Sequence, residues 1–312
     1  MEMHWNWLVV TYLFLGGLGA GAYLTSFAAE LGWLGNNSGL KRMGYYIAGP
    51  IVGLGTLLLV FDLGQGFYKP WLLVRLVTNF SSVMTWGTIV LAVFILVGLL
   101  KGYLTYKNEA VPGAVTWAGA ILAVATGGYT GFLISVIEAI PFWSSGIIPV
   151  IFFVSALSTG LSITVLLAHT FEKEASDKGR EDLTHIFLIL AELGAVAVFM
   201  WVMNSGGNGL IAKKSAALVI SGKYALQFWG IFIGLGLLFP LAVYTVQHLA
   251  SKAAKPTVKD TSAAGEMAAR GQKQHHSYLT IIADSSVLVG GFALRALIIF
   301  AALPIWDGIM IP

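Results

Sequence analysis

Between Trp7 and Trp33 the chain reads WLVVTYLFLGGLGAGAYLTSFAAELGW, with one acid, Glu30, near the far end. An α-helix rises about 1.5 Å per residue, so about 20 apolar residues cross roughly 30 Å of hydrocarbon. This stretch has the length and polarity of a membrane span. Its middle is glycine-rich: Gly17 and Gly21 stand four apart with Gly16 and Gly19 beside them. One helix face therefore carries almost no side chains, and another helix can approach it closely.

The same signal recurs along the 312 residues. Apolar stretches of spanning length run over about 8–34, 44–64, 83–104, 114–140, 146–171, 183–204, 224–249 and 278–304. Backbone groups in lipid must be satisfied within each segment, which makes all eight helices. Charged residues make up 11% of the sequence, against about 25% in soluble domains, and mean hydropathy is +0.81. The expected fold is an all-α integral membrane protein of eight transmembrane helices. The first stretch is too long for a signal h-region and lacks a basic flank, so it is expected to be retained.

An even number of spans puts both termini on one side. Twelve Lys and Arg residues fall in the first, third, fifth and seventh connections, Lys101 and Lys107 among them, and five fall on the opposite side. The positive-inside rule then places both termini outside. The formal charge of +3 reflects this loop bias and gives no reason to expect a nucleic-acid partner. With no cysteine in the sequence, the protein holds no disulfide, zinc–thiolate site or iron–sulfur cluster of its own.

A charge at mid-membrane costs roughly 2.5–3.5 kcal/mol on insertion scales, so each one asks for a reason. The candidates are Glu30, Asp62, Glu138, Glu192, Asp284 and Arg295. On the topology above, Asp62, Glu138 and Arg295 fall toward the outside, and Glu30, Glu192 and Asp284 toward the inside. Asp62 and Glu138 are near enough to an interface to be simply solvated, and Glu30 is equally open to a structural role. The deeper three read either as interhelical pairs or as proton carriers. Asp284 and Arg295 lie eleven residues apart, about 16 Å along a helix, too far to pair with each other. The six histidines lie in tails, loops or span ends, so a transmembrane haem is not expected. Tyr129, behind two glycines in GGYTGFLISVIEAIPFW, has the hydroxyl to hydrogen-bond a lipophilic carbonyl, or simply a neighbouring backbone oxygen.

Between the spans, 65–82 is aromatic and apolar (QGFYKPWLLVRLVTNFSS) and is expected to form a contact surface. Residues 172–182 read as a solvated charged turn, and 251–277 as a mobile cytoplasmic linker.

Several stretches carry a resemblance. YLFLGGLGAGAYL (12–24), FDLGQGFYKPWLL (61–73), SSVMTWGTIVL (81–91), GGYTGFLISVIEAIPFW (127–143), SALSTG (155–160) and LRALIIFA (294–301) occur in order. Together they resemble the membrane subunits of the polysulfide reductase, or NrfD/PsrC, family. The resemblance implies two four-helix bundles forming a quinone-reactive anchor in a bacterial or archaeal plasma membrane. It implies as partners an outer iron–sulfur subunit with [4Fe–4S] clusters and a molybdenum or tungsten catalytic subunit, besides lipid. Menaquinone or ubiquinone would be the redox ligand. Tyr129 matches the family tyrosine assigned to a quinone oxygen, whereas Tyr12 and Val9 stand where a family member has histidine and asparagine.

The expected quinone-binding set is therefore Tyr129, Tyr12, Asp62, Gln65 and Trp86. Glu138, Glu30, Glu192, Asp284 and Arg295 are the candidates for proton transfer. Two rival readings are a secondary transporter, favoured by the intramembrane charges and many glycines, and an anchor that docks an iron–sulfur subunit without touching quinone.

Overall fold

The structure is a computed structural model that describes residues 6–35, 37–62, 80, 82–171, 178–253 and 263–305, with backbone alone for 178–179, 251–253 and 263–277. No strand occurs among them. Eight helices are long and apolar enough to cross a membrane. The first six are α1 (Trp7–Glu30), α2 (Ser38–Asp62), α3 (Val83–Tyr106), α4 (Gly113–Ser135), α5 (Ile147–Phe171) and α6 (Lys178–Ser205). A short helix, α7 (Gly209–Ile220), precedes the seventh span, in which a π-helical segment, Gln227–Leu238, runs into α8 (Phe239–Ala253). The last span is the C-terminal part of α9 (Ala263–Phe300).

The spans form two rings of four. In the first, α1 packs on α2, α2 on α3, α3 on α4 and α4 back on α1. In the second, α5 packs on α6, α6 on α8, the seventh span on α9 and α9 on α5. The rings join where α5 meets α1, α2 and α4, and where α9 meets α1. The two four-helix bundles expected above are thus the observed architecture.

Glycine explains the central joint. A side-chain oxygen of Asn6 caps α1 by accepting from the Leu8 amide at 2.9 Å. From there the helix distributes its small residues among three neighbours. Gly21 lies against the α5 backbone at Ala156 and Gly160, Gly19 against Ala48 and Val52 of α2, and Gly16 against Thr130 of α4. With no hydrophobic driving force between helices inside lipid, such close backbone contact supplies the association. Gly236 and Gly290 do the same for the seventh span and α9, where a Cβ on either would stand 2.5 Å from the other's Cα. Toward the membrane, α3 and α6 expose Leu96, Leu99, Leu190 and Trp201.

Four details depart from the sequence reading. The fourth span stops at Ser135 rather than continuing to 140. Beyond it, Ile140, Phe142 and Trp143 are apolar because they pack inside the protein, and the Trp143 indole donates to the Ile298 carbonyl at 2.7 Å. The connection after α6 contains α7, pinned where Asn208 donates to the Ser144 carbonyl at 2.8 Å and the Leu303 amide to the Ser215 hydroxyl at 3.0 Å. Helix α9 begins at Ala263, inside the stretch read as a linker. Lys101, grouped above with loop charges, is buried within α3.

Candidate functional site

The outer end of the first bundle gathers most of the residues singled out for a lipophilic ligand. Tyr12 stands in the second turn of α1, fully buried, and its hydroxyl finds no hydrogen-bond partner among the described residues. Tyr129, in the last two turns of α4, is half-buried and close enough to Tyr12 to interact with it electrostatically. Its ring lies directly over Gly87 of α3, where a Cβ would overlap the phenol. Glycine at that position sets how deeply the ring sits. The Thr126 hydroxyl, one turn earlier on α4, is also buried without a partner among the described residues.

Asp62 is the last residue of α2 and half-buried. Trp86 lies beside Gly87 but points away from the core: it is 56% exposed, and its indole donates to the Phe80 carbonyl at 3.0 Å. Glu138 is exposed in the turn after α4. Gln65, and most of the 65–82 connection, lie outside the described residues.

Deeper, the second bundle carries a polar column. Arg295 of α9 is fully buried. Its Nε donates to the Leu13 carbonyl at 3.2 Å, and its Nη1 to the Ser155 hydroxyl at 3.1 Å and the Gly291 carbonyl at 2.7 Å. The guanidinium carbon also sits 5.3 Å from the Phe152 ring centre and 5.6 Å from that of Phe14. Glu192 of α6, buried, interacts with both Ser155 and Arg295. Arg295 therefore meets an acid on another helix.

Asp284, three turns from Arg295 along α9, accepts from the Tyr244 hydroxyl at 2.6 Å. Its Oδ1 is 3.6 Å from Nε2 of His185, which stacks on Tyr244 at 4.2 Å between ring centres, and Ser162 of α5 lies alongside. Glu181 and Asp182, both buried, interact with Asp284 from the start of α6, and Asn37 donates to Glu181 at 3.2 Å. His185, read above as an interfacial histidine, is thus a buried member of this cluster.

Glu30 belongs to neither group. At the end of α1 it accepts from the Tyr45 hydroxyl at 2.5 Å and from Lys101 at 3.1 Å. Lys101, 3% exposed, also donates to the Thr116 hydroxyl at 2.8 Å and lies 4.5 Å from the Tyr45 ring centre. The partners Lys101, Gly87, Tyr244, His185 and Ser155 were missed in the sequence. The signal that could have found some of them was spacing: Ser155 and Ser162 repeat at helical intervals on α5, as do His185 and Glu192 on α6.

Residues 1–256 match the protein-family model described as "Polysulphide reductase, NrfD". The protein belongs to the NrfD family. Among NrfD relatives, a polysulfide reductase membrane-family protein of Wolinella succinogenes is 30% identical over 266 residues, 77% of this chain and 82% of that protein. NrfD of Escherichia coli is 26% identical over 270 residues, 76% of this chain and 83% of that protein. A tetrathionate reductase subunit of Salmonella typhimurium is 29% identical over 245 residues, 73% of this chain and 66% of that protein. The NrfD match takes in both tyrosines, Glu192 and His185, and ends before the last span, which carries Asp284 and Arg295. This is a multi-pass membrane protein of a family that supplies respiratory reductases with membrane subunits.

Proposed function

We propose that this protein is the quinone-reactive anchor of a respiratory reductase complex, passing electrons between a membrane quinone and an iron–sulfur partner subunit. The observation that carries the reading is the buried, unpartnered Tyr12 hydroxyl facing the same end of the bundle as Tyr129. A buried hydroxyl left without a partner costs about 1–3 kcal/mol. A ligand carbonyl that accepts from it removes that cost. The residues present fit a quinone headgroup: two phenols to hold its oxygens, and Asp62 to exchange a proton at the mouth. The quinone supplies the two-electron chemistry. Tyr12 takes the place that the family resemblance gives to a histidine donor, and Tyr129 orients the second oxygen.

The proposal extends to the setting. The positive-inside bias supports a plasma membrane with both termini outside, which puts the tyrosine pair near the outer face and the iron–sulfur partner beside it. A molybdenum or tungsten subunit would complete the complex. The names of the polysulfide and tetrathionate reductase relatives support that setting. The column from Glu192 and Arg295 through Ser162 to Asp284, Tyr244 and His185 supplies groups that hold or relay protons between helices. Glu30 makes its contacts apart from that column, so we assign it no place in the relay.

The test is quinol-linked turnover of the assembled complex with Tyr12→Phe and Tyr129→Phe, beside turnover from a water-soluble electron donor that bypasses the membrane subunit. Loss of the quinol-linked rate alone is the expected result. Wild-type turnover in both variants would leave the structural-anchor reading in its place.

A further inference from the structure

A second binding feature lies at the opposite end of the first bundle, on its lipid-facing side. Helices α2 and α3 touch through glycine: a Cβ at Gly49 would stand 2.7 Å from the Leu99 amide nitrogen, and one at Gly102 would stand 2.7 Å from the Tyr45 carbonyl. Where side chains are missing, the seam leaves a groove of about 290 Å³. Gly98 and Gly102 form its floor, and Tyr46, Pro50, Leu99, Tyr103 and Tyr106 form its walls. The neighbouring Leu96, Leu99 and Leu100 are exposed, so the groove opens toward hydrocarbon.

Its mouth is aromatic and basic. Tyr46 and Tyr106 meet edge to face with ring centres 6.3 Å apart. Lys107, the residue after α3, holds its ammonium 4.9 Å from the Tyr103 ring centre. Arg42 precedes Tyr46 by one turn on the same face of α2 and is exposed. Neither cation forms an ion pair among the described residues. Tyrosines at this depth belong to the interfacial belt. Two unpaired cations above an apolar slot complement one kind of occupant: an acyl chain below and a phosphate above.

We propose that the α2–α3 groove is a specific site for one anionic phospholipid, its acyl chain on the Gly98–Gly102 floor and its phosphate between Arg42 and Lys107. On the topology proposed above, this is a lipid of the cytoplasmic leaflet, although the site's chemistry does not depend on that side. The lipid covers the seam directly above Tyr45 and Lys101, where the α2 and α3 backbones touch with few side chains between them.

Native mass spectrometry of the detergent-extracted protein tests this with phosphatidylglycerol and phosphatidylethanolamine of matched chain length. Wild type should retain one phosphatidylglycerol, bound at least about tenfold more tightly than phosphatidylethanolamine. The double variant Arg42→Gln, Lys107→Gln should lose that preference, and Leu99→Trp, which fills the slot, should lose retention of both lipids. Both cations are exposed, so the double variant should melt like wild type in lipid-free detergent. Equal binding of the two lipids, or an undiminished preference in the double variant, overturns the proposal. So does a dimer of the protein that Leu99→Trp abolishes, which would make the groove a protein contact.

Discussion

Gly21 of α1 and Gly160 of α5 meet backbone to backbone: a Cβ at Gly160 would overlap the Gly21 main chain, and one at Gly21 would overlap the main chain of Ala156, one turn before Gly160. This contact is the hinge-pin of the joint between the two bundles. Because backbone cannot rotate away as a side chain does, Gly21→Leu should separate the bundles, with a cost at or above the roughly 1–3 kcal/mol of ordinary overpacking. Gly128→Ala on α4 serves as the control, since a Cβ there meets nothing within 4 Å. Thermal unfolding in detergent should show a clear loss for the first and none for the second.

Gly87 and Tyr129 give the corresponding test for the candidate site. A methyl group at Gly87 must push the phenol ring aside while leaving its hydroxyl in place chemically. A displaced hydrogen bond to a bound ligand corresponds to about 1–3 kcal/mol, or about tenfold to a hundredfold. Gly87→Ala should therefore raise the KM for quinol by about that factor, with the rate from a water-soluble donor unchanged. Gly53→Ala on α2, where a Cβ makes only a 3.9 Å contact, should behave as wild type.

These two cases also show what could be read from sequence. Span length and the Gly17/Gly21 spacing led directly to eight helices and to a smooth face on α1, because both depend on local composition. The depth of Glu192, Asp284 and Arg295 followed from the same spans. Their partners did not, since Ser155, Tyr244 and His185 come from other helices and their meeting is set by packing. Lys101 looked like a loop charge because it stands near the end of α3, yet its ammonium folds inward to Glu30 and Thr116. The run through Glu138 looked like a span because residues apolar for burial and residues apolar for lipid have the same composition.

The Lys101–Glu30 contact should prove energetically asymmetric. Glu30 is 45% exposed at its side chain whereas Lys101 is 4%, so losing the acid strands a buried cation, while losing the lysine strands a carboxylate that water reaches. Breaking a fully buried pair costs about 3–5 kcal/mol, and the exposed acid reduces that here. Glu30→Gln should lower thermal stability more than Lys101→Met, and the double variant should be more stable than Glu30→Gln alone. A double-mutant cycle by thermal unfolding in detergent reads this directly; additive losses would mean that the pair is not coupled.

The polar column makes the sharpest claim about mechanism. Tyr244, His185 and Ser162 surround Asp284 from three different helices, an arrangement that either locks the second bundle together or moves protons through it. The two roles separate by readout. If the column relays protons to the quinone reaction, Asp284→Asn keeps the Tyr244 hydrogen bond and the volume of the side chain but removes the proton-binding group. Quinol-linked turnover should then fall by about tenfold or more, a common scale for loss of a positioned proton-transfer group. Thermal stability and turnover from a water-soluble donor should stay near wild type. Tyr244→Phe should give a smaller loss, because Asp284 still titrates. If instead Asp284→Asn melts early while the surviving protein turns over quinol normally, the cluster is a structural clasp, and the protons of the quinone reaction pass through Asp62 at the outer mouth alone.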